Sequence, residues 1–301
     1  MASRPGNVAP VASSEGKFGI FTLPHAPAKI AYHFYEVPQR DLPVIMLSNS
    51  LSSTFKVLWK EFVEHFRDSY SIIMYDQRFH GESPLSEGFD YYGKGLTFEE
   101  LADDAAAILD HLGIARIHAF VGLSMGATTG LFFKARHSAR VGKIVAAGSG
   151  LKSAPPGAED VFEARVKIAT DGQDGMAKLA PSTLERWFPG EPGRRFLDTH
   201  SGRRDELLEM LRDAKPEGFV ACIRALQNFD LTGPLEKIKE RGDSKDVLLV
   251  IGEMDGVLPD ANKSMAKISD SNVAIIPESG HIMNIQKAGE FNVLVDKFIT
   301  P

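Results

Sequence analysis

The feature that most constrains this chain is a succession of short, unbroken apolar runs separated by stretches of helical periodicity. The runs include Val44-Ile45-Met46-Leu47, Ile72-Ile73-Met74-Tyr75, Ile117 to Val121, Ile144-Val145-Ala146-Ala147, Val247-Leu248-Leu249-Val250-Ile251 and Val273-Ala274-Ile275-Ile276. A strand with one wet face alternates apolar and polar residues, whereas one that is apolar throughout must be covered on both faces. Between the first runs, Phe55, Leu58, Trp59, Phe62, Val63 and Phe66 recur at helical spacing. Further on, the capping box Thr97-Phe98-Glu99-Glu100 opens a second helix, with Leu101, Ala105, Ile108, Leu109 and Leu112 on one side and Gly113 at its end. A final helix carries Phe291, Val293, Leu294, Val295 and Phe298. Strands separated by helices pair in parallel, so the chain is read as α/β, with a mostly parallel central sheet flanked by helices. An antiparallel hairpin over Gly19–Pro24 and Ala28–Tyr35 opens it.

The alternation stops between Gly150 and Asp246. That stretch is helical in pattern, most clearly over Pro216–Phe229, with Pro216 at a first-turn position. The domain reading is therefore a core over 17–150 and 247–301, with a helical lid over 151–246 inserted between two late strands. The lid would cover the carboxyl ends of the strands, where open α/β sheets bind ligands. Residues 1–16 contain no apolar core of a secretory signal and are read as a flexible arm on a cytoplasmic protein. The 34 basic and 40 acidic residues give a net charge of −6, which argues against a nucleic-acid partner. No apolar run approaches the roughly 18 residues of a membrane span. One cysteine, Cys222, excludes an internal disulfide and any zinc site built on several cysteines.

The sharpest chemical signal is Gly122-Leu123-Ser124-Met125-Gly126, which follows a buried strand and precedes a helical segment. Glycines on either side let the chain turn sharply without a Cβ clash, raising the serine above the sheet edge at a helix N-terminus. A serine hydroxyl needs a base to take its proton during attack. Where the nucleophile sits on such an elbow, the acid and then the histidine follow it in the chain. His281, between the last strand and the last helix, is the expected base, and His80, on another strand-end loop, is the alternative. Asp255, in the turn after Val247–Ile251, is the expected acid, and Glu253, two residues earlier, competes with it. The oxyanion needs preorganised N–H donors. Met125, directly after the nucleophile, should supply one and Leu51, in the loop after Val44–Leu47, the other. The chain has no H-E-x-x-H, Walker loop or nicotinamide fingerprint, so neither a metal nor a cofactor is expected.

From about Val44 to Ile299 the chain resembles the α/β-hydrolases and, within that fold, is similar to 3-oxoadipate enol-lactonases. The residues carrying the resemblance are Leu47-Ser48-Asn49-Ser50-Leu51, Tyr75-Asp76-Gln77-Arg78, His80-Gly81-Glu82-Ser83, the serine elbow, Gly252-Glu253-Met254-Asp255 and Gly280-His281-Ile282-Met283-Asn284. In the lid they are Glu185-Arg186-Trp187-Phe188, Gly218-Phe219-Val220-Ala221-Cys222 and Asp230-Leu231. The elbow and triad motifs specify only the fold family, whereas the lid motifs point to the lactonase branch. The resemblance implies a triad of Ser124, Asp255 and His281, with Trp187 and Ser50 against the substrate. Phe79 stands where the family often has glycine, and Ser86–Gly95 reads as an added stretch near the active edge. The leading expectation is a serine hydrolase of a small lactone or ester, an enol-lactone included. The alternatives are a triad-dependent carbon–carbon hydrolase or cyclase, and a ligand receptor on a hydrolase scaffold.

Overall fold

The computed structural model describes residues 16–36, 42–153 and 161–300. The arm read over 1–16 lies outside these residues apart from Gly16, as does the stretch 154–160 of the lid.

Eight strands form one sheet: β1 (Lys17–Thr22), β2 (Lys29–Tyr35), β3 (Val44–Ser48), β4 (Ser71–Asp76), β5 (Ile117–Leu123), β6 (Val141–Ala147), β7 (Val247–Gly252) and β8 (Asn272–Ile276). Their order across the sheet is β1-β2-β4-β3-β5-β6-β7-β8. β1 runs antiparallel to β2, and β2 antiparallel to β4, while β3 to β8 are parallel. The apolar runs occupy the middle strands, and β4 and β7 are buried at every position. Two apolar cores lie on opposite faces of the sheet. One contains Met46, Ile73 and Phe120, and the other Ile45, Ile72 and Val121, the neighbouring residues of the same strands. The edge strand β8 is more open, with Val273 and Ile275 exposed.

The helical pattern over Phe55–Phe66 forms two short helices, Phe55–Leu58 and Lys60–Phe66, rather than one. Trp59 leaves the helical region at φ −112 and ψ 13, and its indole N–H donates to Asn49 Oδ1 at 2.9 Å. The capping box at Thr97 is formed in full, and its helix runs over Phe98–His111.

Among the described residues, six α-helices lie between β6 and β7. Five of them, from Val161–Ala169 to Pro216–Gln227, pack on one another or on the loops at the carboxyl ends of the strands. The sixth, Thr232–Glu240, packs against helices Met125–Arg136 and Leu258–Ser269 beside the sheet. No helix among the described residues is long and apolar enough to cross a membrane.

The parallel strands share one device at their carboxyl ends. A residue with positive φ follows each of them: Ser52 after β3, Phe79 after β4, Ser124 after β5, Gly148 after β6, Gly256 after β7 and Glu278 after β8. Four of the six are not glycine. Strained backbone of this kind persists where the surroundings over-determine it, and it gathers at functional edges.

Candidate active site

Ser124 sits between β5 and helix Met125–Arg136 at φ 56 and ψ −113, so the serine itself takes the left-handed turn. Its N–H donates to the Ala147 carbonyl at 2.6 Å, which ties the turn to β6. The flanking glycines are needed for room. A Cβ on Gly122 would meet the Gly126 carbonyl, and one on Gly126 would meet the Ser48 carbonyl. The second contact presses the elbow against the loop that follows β3.

Ser124 Oγ lies 2.8 Å from His281 Nε2, and His281 Nδ1 lies 2.7 Å from Asp255 Oδ2. With the proton on Nδ1 donated to the carboxylate, Nε2 is left to accept the serine hydroxyl. His281 and Asp255 are 3% and 8% exposed, so the chain of hydrogen bonds is largely shielded from water. The histidine is held from its backbone as well, because its N–H donates to the Trp187 carbonyl at 2.9 Å. Glu253 is turned elsewhere: its Oε2 accepts the Glu278 N–H at 3.0 Å. His80 is buried and bonds to none of the triad residues, with Nδ1 on the Arg78 carbonyl at 3.1 Å and Nε2 without a partner. Burial pulls its pKa down to about 4, which leaves it a neutral ring.

Met125 begins its helix, and an N–H in the first turn has no carbonyl one turn back to pair with. The Leu51 N–H is oriented from the far side of its peptide. The Ser50 carbonyl accepts from Ser53 Oγ at 2.7 Å and from Gln77 Nε2 at 3.1 Å. Across a trans peptide the N–H points opposite to the C=O, so these two donors fix the direction of the Leu51 N–H.

The loop carrying Leu51 is braced further. Asn49 Nδ2 donates to the Tyr75 carbonyl at 2.9 Å and to Asp76 Oδ1 at 3.2 Å. Asp76 also accepts N–H groups from Phe55 and Glu82, at 2.9 and 3.0 Å, while burial raises its pKa to about 7. Sequence reasoning assigned no role to Asn49, Asp76 or Gln77. The available signal was a polar Asp76-Gln77 pair at the carboxyl end of a fully buried strand, the edge where ligands bind.

Among the residues expected against the substrate, Ser50 is buried within the loop that follows β3. Trp187 is 1% exposed, packed in the core that contains Leu184, Phe188, Ile282 and Met283, and its indole N–H has no partner. Phe79 packs against Phe89 in a tilted pair and against Tyr91 edge to face, at ring separations of 4.7 and 4.8 Å. The stretch from Ser86 to Gly95 thus folds onto Phe79 and continues to helix Pro216–Gln227, where Leu96 N–H donates to the Ala221 carbonyl at 2.9 Å.

Comparison with known proteins places this geometry among relatives. The sequence family described as the alpha/beta hydrolase fold matches residues 43–288. The chain is 28% identical over 269 residues to 3-oxoadipate enol-lactonase 2 of Acinetobacter baylyi, spanning 89% of this chain and 92% of that one. Against 3-oxoadipate enol-lactonase 1 of the same organism it is 29% identical over 259 residues, spanning 85% and 88%. The crystal structure of the enol-lactonase from Burkholderia xenovorans LB400 superposes with a TM-score of 0.81 at 25% identity, covering 94% of this chain and 100% of that one.

Proposed function

The chain belongs to the α/β-hydrolase fold family, and on that premise we propose that it is a serine hydrolase of small esters or lactones, with an enol-lactone as the leading substrate. The observation carrying this reading is the hydrogen-bonded series Ser124 Oγ, His281 Nε2, His281 Nδ1, Asp255 Oδ2. The two enol-lactonases of Acinetobacter baylyi support the choice of substrate class.

Ser124 Oγ attacks the substrate carbonyl as its proton passes to His281 Nε2. Asp255 stabilises the resulting imidazolium through the Nδ1–H bond and does not itself take a proton. The carbonyl oxygen becomes an oxyanion held by the N–H groups of Leu51 and Met125. Collapse breaks the bond to the leaving oxygen, which takes the proton from Nε2 and leaves an acyl group on Ser124. In a lactone that oxygen stays tethered to the acyl chain. Water then attacks the acyl-enzyme while His281 accepts its proton. The serine oxygen departs with that proton and a carboxylic acid is released. The helices inserted after β6 act as the lid, with Trp187 and Ser50 as parts of the wall beside the reacting group.

Steady-state turnover of a panel of lactones, simple esters and vinylogous diketones tests the reading. Lactones and esters should turn over, and Asp255→Asn should lower kcat by about four orders of magnitude with the fold intact. Turnover confined to the diketones, or an Asp255→Asn variant as active as the parent, would overturn it.

A further inference from the structure

The base of the proposed triad sits on chain with no regular structure of its own. Between β8 and the short helix Met283–Gln286, residues Glu278 to His281 neither continue the strand nor begin the helix. Glu278 stands at φ 51, the left-handed region that a residue with a Cβ enters at a cost. Backbone of this kind keeps one conformation only where outside groups hold it. Here they do. The Glu278 N–H donates to Glu253 Oε2 at 3.0 Å, and the Ser279 carbonyl accepts the Met254 N–H at 2.9 Å. The His281 N–H donates to the Trp187 carbonyl at 2.9 Å. The Glu278 carbonyl and the Gly280 N–H share a single partner, Gln286. Its Nε2 donates to the first at 3.0 Å, and its Oε1 accepts the second at 2.9 Å.

Gln286 thus grips the stretch at two points, on either side of Ser279. An amide has one end that accepts and one that donates, which is what an N–H and a carbonyl require together. An apolar side chain would hold neither, and a carboxylate could hold only the N–H. Gln286 is 7% exposed, and its own place is secured. Its backbone N–H donates to the Ile282 carbonyl at 3.0 Å. In the same turn, Asn284 Nδ2 donates to the Leu58 carbonyl at 2.8 Å, which ties the short helix to helix Phe55–Leu58. Ser279, the residue inside the grip, is also the one that bonds to Met254, the neighbour of Asp255. The bracket therefore acts where the loop of the acid and the loop of the base are joined.

We propose that Gln286 is a positioning residue for His281: by bracketing Ser279 it fixes the backbone of the histidine, and with it the alignment of Nε2 on Ser124 and Nδ1 on Asp255. The inference rests on the serine-hydrolase reading and adds to it a residue that bonds to none of the three triad side chains. Turnover should depend on Gln286 and substrate binding should not, because its amide is engaged by the protein's own backbone. Misplacing a catalytic group by about an ångström costs on the order of a hundredfold in rate.

Steady-state kinetics on a neutral ester, para-nitrophenyl butyrate, tests this. Gln286→Leu should lower kcat by about 10- to 100-fold with KM little changed. Gln286→Glu, which still accepts from Gly280, should recover part of the loss. The Gln286→Leu change is then repeated in a His281→Ala background. With no imidazole left to position, it should leave the residual rate of that variant unchanged, as for residues that act as a unit. A kcat in Gln286→Leu equal to the parent's overturns the proposal. So does an equal proportional loss in the parent and in His281→Ala, which is what a general loosening of the fold would produce. Melting curves establish that each variant is folded at the assay temperature, and Gln286→Met, closer in length, replaces Gln286→Leu under the same criteria if the leucine variant is not. Failure of the hydrolase reading shows separately, as turnover of the ester that survives Ser124→Ala undiminished.

Discussion

At the residue scale, the proposed site is a set of backbone directions fixed by buried side chains. Ser124 carries its own strain at φ 56, and the glycines beside it are small because backbone passes where their Cβ atoms would be. The expectation that the glycines themselves make the turn therefore needs a different physical reason, although the motif was legible. Its demand is local, and local demands are written in adjacent residues. Gln77 was not legible, because its importance comes from a bond to the Ser50 carbonyl across 27 positions of sequence. Gln77→Leu should leave that carbonyl with one donor and let the Leu51 N–H drift. Losing an oxyanion donor outright lowers kcat by about 10²–10³-fold, so misdirecting one should lower it by about tenfold or more, with KM little changed. Steady-state kinetics on a neutral ester checks this, and an unchanged kcat would remove Gln77 from the orienting role.

At the element scale, the helices proposed as the lid are fastened down. Lys215 Nζ donates to the Gly81 and Ser83 carbonyls at 2.9 and 2.8 Å, just before helix Pro216–Gln227 begins. Two residues into that helix, a Cβ on Gly218 would run into the Phe79 carbonyl. Gly218→Ala must lift the helix off this loop, which should lower stability by about 1–3 kcal/mol and lower the melting temperature accordingly. A melting curve superimposable on the parent's would show the contact to be slack. The sequence made this helix plain, through its apolar stripe and first-turn proline. It did not show what the helix rests on, because the stretch from Ser86 to Gly95 reads as a loop until its aromatic residues are seen packed against Phe79. The single helix read over Phe55–Phe66 breaks for a similar reason. Periodicity registers that Trp59 is apolar and not that its indole N–H is needed by Asn49.

At the scale of the whole molecule, the architecture was legible because burial on both faces leaves its mark on every residue of a strand. The exposed alternate residues of β8 show where that rule weakens, at the sheet edge. Two buried titrating groups near the loop after β4 pull stability in opposite directions. His80, neutral when folded with a pKa of about 4, binds fewer protons folded than unfolded between about 4 and its ordinary 6.5. Its contribution therefore falls as pH drops through that window, by about 3 kcal/mol in all. Asp76, raised to about 7, binds more protons folded than unfolded above its ordinary range, so its contribution falls as pH rises toward 7. Subtracting the stability curve of His80→Gln from that of the wild type isolates the first. The difference should shift against the wild type as pH falls from about 6.5 to 4, and a flat difference would show that His80 titrates normally. The account as a whole stands on Ser124 as an activated nucleophile, and covalent labelling by a fluorophosphonate tests that most directly. Intact-mass analysis should show one adduct on the wild type, mapped to Ser124, with labelling slowed by orders of magnitude in His281→Ala and abolished in Ser124→Ala. Undiminished labelling of Ser124→Ala, or no labelling of the folded wild type, would contradict it.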